Sequence, residues 1–91
     1  MGLSKHADND AAVFYTIEFF NEGLHYSGRI TPEYKKGREE PSSWHVVLND
    51  VFFGYLHKDG GHWEVSEQRP VELTKKVGEQ IDKKSWEIHK I

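Results

Sequence analysis

The chain has 91 residues, a net charge of −3, 36% apolar and 30% charged residues, and no cysteine. That is one domain with room for one small core. It has no cationic surface of the kind nucleic acid requires and no thiol for a disulfide or a thiolate site.

No run of about 18 apolar residues exists to span a membrane. The opening "MGLSKHADND" lacks the apolar stretch of a signal peptide. A soluble cytoplasmic protein without a cofactor is the expectation. Residues 1–11 are polar and read as a loose segment ahead of a single α+β domain over 12–91.

From Val13 the pattern alternates, with Val13, Tyr15, Ile17 and Phe19 on one face and Phe14, Thr16, Glu18 and Phe20 on the other. A two-residue turn at Glu22-Gly23 pairs Phe19 with Tyr26, Ile17 with Gly28 and Tyr15 with Ile30. A one-residue slip would mix the faces, so the pattern selects this register. Pro32 is expected to end the second strand. The charged, Pro- and Gly-punctuated segment 32–43 reads as an exposed loop.

The third and fourth strands, "WHVVLN" and "VFFGYLH", meet at Asn49-Asp50, a pair that tolerates φ > 0. Unbroken alternation sets Val46 opposite Phe53 and Trp44 opposite Tyr55. A turn at Asp59-Gly60 adds a fifth strand, with His57 opposite His62 and Leu56 opposite Trp63. One face then carries Val47, Phe52, Leu56, Trp63 and Val65. The second carries Trp44, Val46, Leu48, Val51, Phe53 and Tyr55. Both are apolar, whereas a one-sided antiparallel sheet shows polar residues to water. Something must cover the second face.

A helix is predicted from near Pro70, with Leu73, Val77 and Ile81 as its stripe and Val71 or Thr74 widening it. Gly78 costs about 1 kcal/mol in a helix interior and is tolerable if it lets the helix approach the sheet. The tail, with Trp86, Ile88 and Ile91, fits a helix or an edge strand. The fold class is α+β: an antiparallel five-stranded meander with one C-terminal helix packed on a sheet face. The N-terminal hairpin can curl the sheet into a half-barrel and so cover the second face.

Two sites follow. His57, His62 and Glu64 gather at one end of the last hairpin. Directly opposed residues have Cβ atoms about 4.5–5.5 Å apart, so the two imidazoles can share Zn²⁺ or Cu²⁺, with Glu64 as third ligand and water as fourth. No established zinc spacing is present, and an exposed polar hairpin end accounts for the same residues. Ser42 and Ser43 lie near His45, but no glycine elbow positions either hydroxyl. The other site is the second apolar face. Trp44, Val46, Phe53 and Tyr55 there form a binding face for a homodimer or a protein partner, anchored by Trp44 and Tyr55.

Residues 44–83, three strands followed by a helix, resemble in layout the plant AP2-type and integrase-arm DNA-binding domains. That resemblance implies groove-reading sheet residues rich in Arg and Trp. The strands here offer Trp44 and Trp63 but no arginine, so no residue carries over and nucleic acid is not expected. The expected function is a small non-catalytic binding or assembly module. The alternative is a metal-binding protein or enzyme using His57, His62 and Glu64.

Overall fold

Two of the hairpin turns have the geometry that their residues dictate. Glu22 and Gly23 take φ of 53° and 82°, and Asn49 and Asp50 take 50° and 67°. These are the paired positive values of a two-residue turn whose twist matches the strands it joins. The computed structural model describes residues 13–90, and the side chains of residues 13–85. The segment 1–11, Ile91 and the side chains of Trp86 and Ile88 lie outside the described residues.

Five strands follow one another as β1 (Tyr15–Asn21), β2 (Leu24–Glu33), β3 (Ser43–Leu48), β4 (Val51–Asp59) and β5 (His62–Val65). They form one antiparallel sheet in the order of the chain. A helix, α1 (Val71–Lys90), follows and settles the tail as helical through Lys90. This is the α+β meander of the sequence, curled into a half-barrel. The pairing of β1 with β2, Phe19 with Tyr26, Ile17 with Gly28 and Tyr15 with Ile30, is the one the alternation selects.

Pro32 does not end its strand: it pairs with Trp44, and Glu33 pairs with Ser43. The reason is which way its backbone points. The carbonyls of Ser27 and Glu33 accept from Asn49 and Ser42, so odd-numbered residues of β2 face β3 and even-numbered ones face β1. The β1 ladder stops at the Tyr15–Ile30 pair. The N–H that proline lacks would therefore point where β2 is already an edge. The connecting loop is 34–42, shorter at both ends than the expected 32–43.

The largest departure from simple alternation is in β4. His45 pairs with Tyr55 and Val46 with Gly54, but Val47 pairs with Phe52, so Phe53 is an extra residue in a β-bulge. Phe53 and Gly54 both oppose Val46 on the inner face. Gly54 has φ 144°, and a Cβ there would lie 2.6 Å from Val65 Cγ2. Glycine is the residue that fits. The bulge reverses the pleat, so residues on either side of it that alternation assigns to opposite faces come to the same one.

The third turn is also displaced. Gly60 and Gly61 take the positive φ values, 63° and 92°, and His57 pairs with Glu64, Lys58 with Trp63, and Leu56 with Val65. Two glycines adopt φ > 0 without a Cβ penalty, whereas a turn at Asp59-Gly60 would force it on an aspartate. The correction moves the ladder by two residues: each face keeps its residues, but the partners change. His57 does not oppose His62.

With the bulge in place the core closes on one side. Ile17, Phe19, Ile30, Trp44, Val46, Leu48, Phe53 and Leu56 are buried together with Val77 and Ile81 of α1. Tyr15, Tyr26, Trp63, Val65 and Leu73 pack around them. Thr74 widens the helical stripe, while Val71 is 80% exposed. Burying Leu56 and Ile81 contributes roughly 1.5–3 kcal/mol each. The helix touches the two outermost strands, β1 and β5.

Gly78 is where α1 meets the sheet. A Cβ at that position would run into the Trp63 indole. The Trp63 Nε1–H donates to Asp82 Oδ2 at 3.3 Å, and Lys58 Nζ donates to Asp82 Oδ1 at 3.0 Å. One carboxylate on the helix thus holds both residues of a β4–β5 pair. Helix propensity alone says that Gly78→Ala gains about 1 kcal/mol. Overpacking against an anchored ring costs about 1–3 kcal/mol. We expect urea unfolding of Gly78→Ala to show a net loss of about 1 kcal/mol; a gain would mean that the helix stands off the sheet.

Candidate functional site

The same bulge that buries Phe53 sends Phe52 and Tyr55 outward. On the outer face Phe52 and Tyr55 meet His45, and the three rings touch pairwise. Centroids are 5.2 Å apart for His45–Phe52, 5.3 Å for His45–Tyr55 and 5.7 Å for Phe52–Tyr55. The Phe52–Tyr55 and His45–Tyr55 contacts are edge-on, an arrangement that aromatic quadrupoles favour. Phe52 is 39% and Tyr55 42% exposed. Across the sheet, Arg29 pairs with Val47, which in turn pairs with Phe52. The Arg29 guanidinium lies 5.4 Å from the Phe14 ring centroid, within cation–π range.

The backbone under this patch is held from the side. β5 pairs with β4 only as far as Leu56–Val65, so the bulged half of β4 needs other partners. Tyr55 N–H donates to Ser66 Oγ at 3.0 Å, and Ser66 N–H donates to the Tyr55 carbonyl at 2.9 Å. Arg69 Nε–H donates to the Phe53 carbonyl at 2.8 Å and Nη2–H to the Phe52 carbonyl at 3.1 Å. Its guanidinium also stands 5.5 Å from the Phe53 ring centroid. Bonds from a charged donor are worth about 1.5–3 kcal/mol. Residues 66–69 therefore do for the bulge what a neighbouring strand would do for a regular one.

The residues singled out from the sequence fall in different places. Trp44, Val46 and Phe53 are buried under the helix, and Tyr55 stands on the opposite face. The structure therefore does not bring these four together. Tyr55 is joined instead by Phe52 and His45, which alternation separates from it or leaves unremarked. A glycine inside an apolar strand was the signal available, because such a glycine often marks a bulge.

His57, His62 and Glu64 do share the outer face at the end of the β4–β5 hairpin. His57 is paired with Glu64 and His62 with Asp59, and His62 Nε2 lies 3.0 Å from Glu64 Oε2. All three are exposed. Among the described residues, no three His, Asp or Glu side chains are placed to hold a metal ion. Also among the described residues, no helix is long and apolar enough to cross a membrane.

Comparison with family models, with curated proteins and with solved structures gives no match.

The pairing of the hairpin can be read in solution. Tyr55 exchanges its hydrogen bonds with Ser66, so His57 and Asp59 also point their main-chain groups toward β5. Lys58–Trp63 and Leu56–Val65 are then non-hydrogen-bonded pairs, with Cα atoms about 4.5 Å apart. We expect strong Hα–Hα NOEs for those two pairs. A strong His57–His62 Hα–Hα NOE, the non-hydrogen-bonded pair of a two-residue turn at Asp59-Gly60, would instead oppose the two histidines and restore the metal-ligand geometry.

Proposed function

We propose that the protein is a small non-catalytic binding or assembly module whose contact surface is the outer sheet face centred on His45, Phe52 and Tyr55. The observation that supports the reading is that three rings in mutual contact stand at the surface while the core closes without them. Aromatic side chains are costly to expose, and contiguous exposed apolar patches mark interaction sites. Tyr and Phe also suit the task, since a ring offers a large contact area for few rotatable bonds.

The surface is carried by strands, and Arg69 and Ser66 hold β4 beneath it, so it is rigid before any partner arrives. Preorganisation of this kind reduces the entropy lost on association. Thr31, the β2 neighbour of His45, is short and places no bulky group over the patch.

A photoreactive phenylalanine analogue at position 52 tests the reading in cells that express the full chain. Position 24 is the control, because Leu24 is 61% exposed but sits at the β1–β2 turn. Discrete adducts from position 52 and none from position 24 are expected. Absence of adducts at 52, or equal yield at both positions, would overturn the reading.

A further inference from the structure

β5 ends the sheet, and the strand order gives it no neighbour besides β4. His57 and Asp59 face β5, so their partners Glu64 and His62 direct their main-chain groups at β4. The N–H and C=O groups of Trp63 and Val65 point the other way, along the free edge. Among the described residues, no group bonds to these four.

One flank of α1 stands along that edge. Val71, Lys75, Gly78 and Asp82 follow one another at spacings of four, three and four, which is a single helical stripe. Gly78 lies against the Trp63 indole, and Asp82 accepts from its N–H. Two recesses lie between the edge and the helix. One, of about 340 Å³, runs toward Val65 and Thr74. The other, of about 480 Å³, runs toward Gly61 and Lys75. Trp63 borders both, as does Val71, which is 80% exposed.

Strand addition uses two things, and this edge has both. It needs a row of unpaired main-chain donors and acceptors, and recesses for side chains that point the same way at every second residue. The lining charges balance, Arg69 against Glu64 in the first recess and Lys58 and Lys75 against Glu79 and Asp82 in the second. With no net sign, the groove discriminates by main chain and by apolar fit. α1 forms its far wall, so an edge strand that brings its own sheet and helix with it, as a second copy would, meets that helix. A lone extended segment does not.

We propose that the β5 edge takes up an extended segment of another protein as an added strand, with apolar side chains at alternate positions directed into the recesses beside Val71. The site is separate from the outer face, and neither reading depends on the other. Its area is small, so binding is weak and readily reversed.

Random linear peptides displayed on phage and selected on the full chain supply the probe. Enriched sequences, made as synthetic peptides, should slow amide hydrogen exchange at Trp63 and Val65, whose N–H groups point along the edge. N-methylation scanned along such a peptide should weaken binding at every second residue, the signature of main-chain pairing. Val71→Glu, at an exposed position that should leave the fold intact, should weaken binding on the order of tenfold or more. Leu24→Ser, at the β1–β2 turn, should leave it unchanged. A selection that enriches nothing would overturn the proposal. So would peptides that leave Trp63 and Val65 exchanging as before, that are indifferent to N-methylation, or that bind Val71→Glu as they bind wild type. Slowed exchange at His45, Phe52 and Tyr55 alone would remove the edge site and support the outer face.

Discussion

At Phe53–Gly54 one strand carries a residue more than its neighbour, and Arg69 donates to the Phe52 and Phe53 carbonyls on the stretch of β4 that β5 does not pair. Everything on either side of the sheet depends on that arrangement. Without the extra residue, Phe53 and Tyr55 would share a face, and so would Phe52 and Leu56. The chain would have to bury both sides of β4 with a single helix. With it, Trp44, Val46, Leu48, Phe53 and Leu56 are gathered under α1, and one layer of helix suffices. Of the Arg69 bonds the one to the Phe53 carbonyl is part-buried, and a bond from a charged donor is worth about 1.5–3 kcal/mol, a substantial part of a small domain's stability.

The helix is positioned from the opposite end of the same strands. Lys58 and Trp63 are a β4–β5 pair and both bond Asp82, while the Trp63 ring occupies the space that Gly78 leaves open. The ion pair is half-exposed and contributes little alone. Its role is to orient the indole, which supplies most of the contact. The sheet curls because β1 and β5 both reach the helix, so the N-terminal hairpin adds Ile17, Phe19 and Ile30 to the core that the last three strands begin.

Much of this was legible in the residues. Glu22-Gly23 and Asn49-Asp50 are turn pairs by their tolerance of positive φ, and the β1–β2 register follows from an alternation that only one pairing respects. Leu73, Val77 and Ile81 announce the buried side of the helix. What alternation could not reveal is a change of phase within a strand. A period-2 pattern has no term for an inserted residue, so each assignment beyond Gly54 came out on the wrong face relative to β3. The contradiction was nevertheless visible: a sheet with two apolar faces and one helix is short of cover, and Gly54 sits in the middle of the strand responsible. Arg69 carried no signal, because its partners are main-chain carbonyls that exist only once the bulge has formed. Of the outer patch, alternation pairs Phe52 with Val47 as the structure does, but assigns Tyr55, which follows the bulge, to the other face.

The proposed contact face follows from the same displacement, because the rings sent outward are the ones the core does not need. The chain's five phenylalanines make this directly measurable. Phe14, Phe20 and Phe52 are 48%, 64% and 39% exposed, and Phe19 and Phe53 are 7% and 6%. With fluorinated phenylalanine incorporated throughout, a soluble gadolinium chelate should broaden three of the five ¹⁹F resonances in dilute solution and spare two. Resonances assigned by single substitution should place Phe52 among the broadened and Phe53 among the spared. Broadening of Phe53 with protection of Phe52 would mean that the strand runs without its bulge, and the account of both faces would fail.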